Sequence, residues 1–222
     1  MIYKNKIYDI YIMVKRGSIW SKHDWCDHEH DNLELIKKYK CKNIIEFGCG
    51  FGTKLFLDNC NKVTSVEFCT KDTNLAETLK ISSVEWVNKC KIMYKDYENW
   101  NPIIIELTNS FIEAEKDIVG KTLPRGSNPK SKAYLEELNI IINKLFVSEN
   151  YDLGFIDAGV HFRGDIVNCL FNKVNIITAH DTNNKSHGGN IYGYKRVKVP
   201  DNYIISKGDN SDSGLTIYVK NF

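Results

Sequence analysis

Five carboxylates close or follow short apolar runs: Glu46, Glu67, Asp96, Asp157 and Asp181. Just after the first comes Gly48-Cys49-Gly50-Phe51-Gly52, with glycines at alternate positions, running into Thr53-Lys54-Leu55-Phe56-Leu57. Glycine is needed where φ is positive, where a turn is tight, or where a ligand lies on bare backbone. The spacing is G-x-G-x-G with Thr at position 53, so the dinucleotide fingerprint G-x-G-x-x-G is not met. An acid directly before such a loop suits a cationic ligand better than a pyrophosphate. Further along, Asp157, His161, His180 and Asp181 gather acid–base groups around two predicted strand ends. These residue types accept a proton or hold a reacting group.

The elements that must position these groups alternate. Asn43–Phe47 reads as a strand, about 53–60 as a helix, and Val63–Glu67 as a second strand. A helix is expected over 73–89 and a short third strand at Ile92-Met93-Tyr94, with Asp96 just beyond it. Ile104, Leu107, Phe111, Ala114 and Ile118 recur at 3-4-3-4 spacing, an amphipathic helix pattern. Lys121–Ser131 holds Pro124, Gly126 and Pro129 and reads as a loop; 132–147 reads as a helix. A fourth strand ends at Asp157, a helix follows near 161–171, and a fifth strand ends at His180-Asp181. Two last strands, near 202–206 and 214–219, flank a strong turn signal. Upstream, Asp31 is expected to cap a helix through Tyr39.

Such alternation argues for a mostly parallel, seven-stranded sheet with helices on both faces and an antiparallel C-terminal hairpin, an α/β three-layer sandwich. Ligands in these sheets sit beyond the carboxyl ends of the strands, where the five acids would line a cleft. A chain of 222 residues fits one domain, 1–222, large enough to bury roughly 70% of its unfolded surface. Within it, 1–30 reads as an N-terminal segment or lid and 98–131 as an insertion or cap.

Net charge of +2 gives no footprint for nucleic acid. Seven scattered cysteines without a C-x-x-C pair read as free thiols in a reducing compartment. No apolar run suits a signal peptide or a membrane span, so a cytoplasmic protein is expected. His23-Asp24-Trp25-Cys26-Asp27-His28-Glu29-His30-Asp31 is rich in ligand types, but its spacing fits no closed zinc pattern, and it reads as a loop or lid.

Taken together, the chain resembles the class I, Rossmann-like S-adenosylmethionine-dependent methyltransferases over roughly residues 31–220. Glu46-Phe47-Gly48-Cys49-Gly50-Phe51-Gly52 is similar to that family's first motif. The resemblance implies that Glu46, Gly48, Gly50, Gly52, Glu67 and Asp96 hold the cofactor, with Glu67 on the ribose hydroxyls and Asp96 on the adenine amine. The run Phe155–Asp165 with Ala179-His180-Asp181-Thr182 is similar to a small-molecule and sugar O-methyltransferase branch. There it implies Asp157, His161, His180 and Asp181 on the acceptor side. A divalent cation such as Mg or Mn on Asp157, Asp181 and Asn183 is a further expectation, since such ions need several oxygen ligands.

The expected acceptor is a small molecule or glycan, with no nucleic acid or membrane partner; a homodimer contact through the 104–118 helix is open. Two other readings stay open: a protein or RNA methyltransferase, and a non-catalytic cofactor-binding protein, because fold does not fix function. Each site residue also has a plain structural reading: a tight turn for the glycines, a solvated strand end for the acids, and a helix-terminal histidine for His161.

Overall fold

The computed structural model describes residues 28–119, 132–183, 192–208 and 213–221. Eight strands form one sheet: β1 (Asn43–Phe47), β2 (Lys62–Thr70), β3 (Ser82–Ser83), β4 (Trp100–Glu106), β5 (Leu153–Ile156), β6 (Ile176–His180), β7 (Tyr203–Lys207) and β8 (Leu215–Lys220). Its order is β3-β2-β1-β5-β6-β8-β7, with β4 also paired to β2. All pairings are parallel except those of the closing β7–β8 hairpin and of β8 with β6. The helices are α1 (Glu29–Tyr39), α2 (Thr53–Asn59), α3 (Thr73–Leu79), α4 (Val84–Met93), α5 (Asn109–Val119), α6 (Ala133–Leu145) and α7 (Arg163–Leu170).

Successive strand residues point to opposite faces, and both faces are buried. Ile44, Val63, Leu153 and Ile176 join one core with Phe56 of α2 and Cys90 of α4. Ile45, Val66, Ile156 and Ile177 join another with Phe111, Tyr134 and Ile166 of α5, α6 and α7. This covering on both sides is why the strands are near-continuous apolar runs. The order in which strands are added reverses between β1 and β5, since β1 feeds β2 on one side and pairs with β5 on the other. A crevice opens at such a switch point.

Three expectations need correction. The helix expected over 73–89 is two helices. Lys80 takes a left-handed conformation (φ 56°) that stops α3, and the Ser83 hydroxyl accepts from the Trp86 amide to start α4. Ile92-Met93-Tyr94 is not a strand; it falls at the end of α4. The strand in that place is β4, and Ile104 belongs to it, so the amphipathic helix begins only at Asn109. Residues 100–119 are thus an integral strand and helix rather than a cap. The lid expected at 1–30 falls almost wholly outside the described residues, as does the loop at 121–131.

Cys69 pairs with Ser82 and Glu106 at once. β3 and β4 therefore lie on opposite edges of β2. β3 takes the edge that β1 leaves free after Phe47, and so brings the start of α4 over the glycine loop.

Candidate active site

The loop between β1 and α2 is fixed from several directions. Gly48 has φ +103°, and a Cβ there would stand 2.5 Å from the Asp157 carbonyl oxygen. Gly50 is different: its nearest neighbour would be Trp86 at 3.9 Å. At Gly52 a Cβ would meet His28 Nε2 at 2.8 Å. Of the three, only the middle glycine has room for a Cβ; the first admits the backbone after β5 and the third admits an imidazole. Gly48→Ala should cost roughly 2–5 kcal/mol in chemical denaturation, and Gly50→Ala less than about 1 kcal/mol. Equal stability of the two variants would refute this division of roles.

Three of the loop's amides and two of its carbonyls are used within the chain. The amides of Gly48, Cys49 and Gly50 donate to Val66 O (2.9 Å), Glu67 Oε2 (2.6 Å) and Thr53 Oγ1 (2.9 Å). Its carbonyls accept from α4 and the residue after it: Trp86 Nε1 to Cys49 O at 2.9 Å, and Tyr94 Oη to Gly50 O at 2.6 Å.

Glu46 and Glu67 are buried on adjacent strands and both line the cavity. Burial pushes the Glu46 carboxyl up to about 8, against the Ser65 and Thr53 hydroxyls, which lower it. The Ser65 hydroxyl donates to Glu46 and accepts from Trp100 Nε1 at 2.7 Å. Burial likewise raises Glu67 to about 7, partly offset by Ser82 and the Cys49 amide. The second oxygen of Glu67, Oε1, is buried with no hydrogen-bond partner among the described residues.

Across the cavity, Asp157 follows β5 and Asp181 follows β6. One guanidinium nitrogen of Arg163 reaches both, at 2.8 Å to Asp157 Oδ1 and 3.1 Å to Asp181 Oδ2. Arg163 is buried at the start of α7; its Nε donates to Ala158 O, and Tyr192 covers it at 3.7 Å. His180 Nδ1 lies 3.2 Å from Asp157 Oδ1, and its Nε2 is 2.7 Å from the Ser213 hydroxyl. Burial alone would raise the Asp157 carboxyl. His180 and Arg163 outweigh that and hold it below the usual carboxylate range.

These groups border one cavity of about 690 Å³, together with Phe51, Ile81, Ser82 and Trp86, a volume within the range of small-molecule sites. Of the residues singled out in the sequence, it gathers Glu46, Gly48, Gly50, Gly52, Glu67, Asp157, His180 and Asp181. It does not gather the other three. Asp96 precedes β4, at the opposite end of the sheet from the cavity, because the strand it was expected to follow is helical. His161 turns away: its Nδ1 meets Glu115 Oε2 at 2.5 Å and its amide donates to Glu115 Oε1 at 2.8 Å, a buried structural pair. Asn183 does not line the cavity, and its amide is engaged by Ser213 O at 2.9 Å.

The expected magnesium-type set also fails on its own chemistry. Arg163 already bridges Asp157 and Asp181, so a guanidinium stands where a cation between those acids would sit. Arg163, Ser82 and Trp86 were given no site role in the sequence, and His28 was read there only as part of the ligand-rich 23–31 loop or lid.

Among solved structures, the chain is similar to an O-methyltransferase from Bacillus cereus in complex with S-adenosylhomocysteine. The TM-score is 0.56 at 12% identity, covering 97% of this chain and 90% of that one. It is also similar to a Staphylococcus aureus protein provisionally described as a caffeoyl-CoA O-methyltransferase, with TM-score 0.53 at 15% identity, covering 97% and 91%. The fold is that of the Rossmann-like methyltransferases. No protein-family model matches the sequence, and no curated protein matches it either. In this fold β4 takes the place of the expected third strand, and β3 with α4 forms one wall of the cavity. No helix among the described residues is long and apolar enough to cross a membrane.

Proposed function

We propose that this chain is an S-adenosylmethionine-dependent methyltransferase acting on a hydroxyl of a small molecule, such as a sugar. One observation carries the reading: Glu67 spends one oxygen on the Cys49 amide and keeps the other buried beside the cavity with no hydrogen-bond partner among the described residues. A buried polar atom without a partner is costly, and a diol satisfies it. The cofactor, when bound, supplies an activated methyl group on a cationic sulfur. Burial holds Glu46 at about 8 and Glu67 at about 7, and a cation beside them favours their charged forms; Gly50 leaves room for it, and Ser82 and Trp86 close the side formed by β3 and α4. Asp157, His180 and Asp181 face the acceptor, with His180 Nδ1 3.2 Å from Asp157 Oδ1. Fixed alignment of the partners is the main contribution such a site makes, up to about 7–11 kcal/mol.

Calorimetric titration with S-adenosylhomocysteine tests this. The wild type should bind, and Glu67→Ala should weaken binding about 10- to 150-fold, the loss of a charged hydrogen bond worth about 1.5–3 kcal/mol. Unchanged affinity in the variant would remove Glu67 from the ribose; no binding by the wild type would remove the function. A panel of glycans and small alcohols with labelled methyl donor then identifies the acceptor.

A further inference from the structure

We infer that His28, Asp157 and His180 form a site for a divalent transition-metal ion. Each offers one ligand atom, and the three atoms all lie within 4.8 Å of one another. Ligands about 2.0–2.2 Å from a tetrahedral ion stand roughly 3.3–3.6 Å apart. His180 Nδ1 and Asp157 Oδ1, at 3.2 Å, are close to that separation, and the third atom lies within 4.8 Å of both, so that binding draws His28 in by up to about 1.5 Å. The ligands come from three separate parts of the fold: the residue before α1, the end of β5 and the end of β6.

The surroundings hold these side chains as ligands are held. A metal-binding imidazole is oriented by what its other nitrogen bonds. The Ser213 hydroxyl takes His180 Nε2 at 2.7 Å, which leaves Nδ1 directed at Asp157. Arg163 fixes the Asp157 carboxylate at 2.8 Å. The His28 ring packs on Phe155 and His180, with centroids 4.7 and 4.4 Å apart. Its Nε2 occupies the space that Gly52 leaves by lacking a Cβ. His28 is 1% exposed, so an imidazole has been brought from outside the sheet into a place made for it.

The donor set selects the ion. Two imidazoles and one carboxylate suit zinc, ferrous iron or cobalt rather than magnesium or calcium, and leave a coordination position open. That position faces the cavity that Asp157, His28 and His180 all line, where an ion polarises a hydroxyl. This differs from the oxygen set Asp157–Asp181–Asn183 in ligands and in metal class. It deepens the methyltransferase reading but does not require it.

The test is titration of metal-free protein with Co²⁺, followed by its visible absorption, and with Zn²⁺ in competition with a chromophoric chelator. One equivalent should bind. His28→Ala and His180→Ala should each weaken it at least about 100-fold, whereas Asp181→Asn should keep it. Absence of binding in the wild type overturns the site, as does binding that survives His28→Ala but is lost in Asp181→Asn. S-adenosylhomocysteine titration of the same proteins reports an intact cavity and keeps the two readings apart. Metal binding without cofactor binding leaves the site and removes the methyltransferase; cofactor binding without metal does the reverse; neither removes both.

Discussion

Arg163→Leu should destabilise the protein by roughly 3–5 kcal/mol in urea at pH 7, the cost of removing one partner from a buried ionic cluster. The side chain is 5% exposed. It bridges Asp157 and Asp181, donates to Ala158 O and lies under Tyr192. Leucine keeps apolar volume but leaves two acids facing each other. The effect carries a pH signature. The folded Asp157 carboxyl sits below its unfolded value, because His180 and Arg163 outweigh burial. Its stabilising contribution is present above the unfolded value, near pH 4, and is lost as pH falls through the folded one. The penalty of Arg163→Leu should therefore be greatest at neutral pH and shrink on acidification. Arg163→Lys should recover only part of it, since an ammonium lacks the planar fork. A loss under 1 kcal/mol at pH 7 would mean that the cluster does not hold the two strand ends together.

The second large effect runs with alkali. Glu46 is held near 8 by burial, so the folded protein keeps a proton that the unfolded chain releases above pH 4.5. Across that window the native state binds more protons, and stability falls as pH rises. By pH 9 the loss attributable to Glu46 is on the order of 5 kcal/mol. Glu46→Gln, which cannot ionise, should match the wild type within about 1 kcal/mol at pH 5 and exceed it at pH 9. Parallel stability curves for the two proteins would show that Glu46 ionises as readily in the fold as in water.

The residues explain which parts of this site can be read in advance. β1, its glycine loop and Glu67 are contiguous or one strand apart, so local pattern suffices. The ends of β5 and β6 are legible for the same reason. Asp96 is not, because the apolar triplet before it is too short to tell a strand from the last turn of a helix. The true strand carries Pro102, which argues against a strand anywhere but an edge. β4 is paired only to β2 and is such an edge. His161 stands four residues after Asp157, yet Glu115 on α5 captures it, a contact no spacing reveals. His28 and Arg163 acquire their places only through partners on distant elements, which no local pattern reveals.

The glycine loop has one more consequence, in what it refuses. Gly48, Cys49 and Gly50 each donate their amide within the chain, and the Cys49 and Gly50 carbonyls already hold α4 and Tyr94. Phosphate-cradling loops work the other way, presenting a row of idle amides to an anion. A nucleotide phosphate arriving at these three residues would find its donors spent and two buried carboxyls behind them. At these three residues the loop screens its ligands by having its donors already engaged, and it offers them a mould of bare backbone instead.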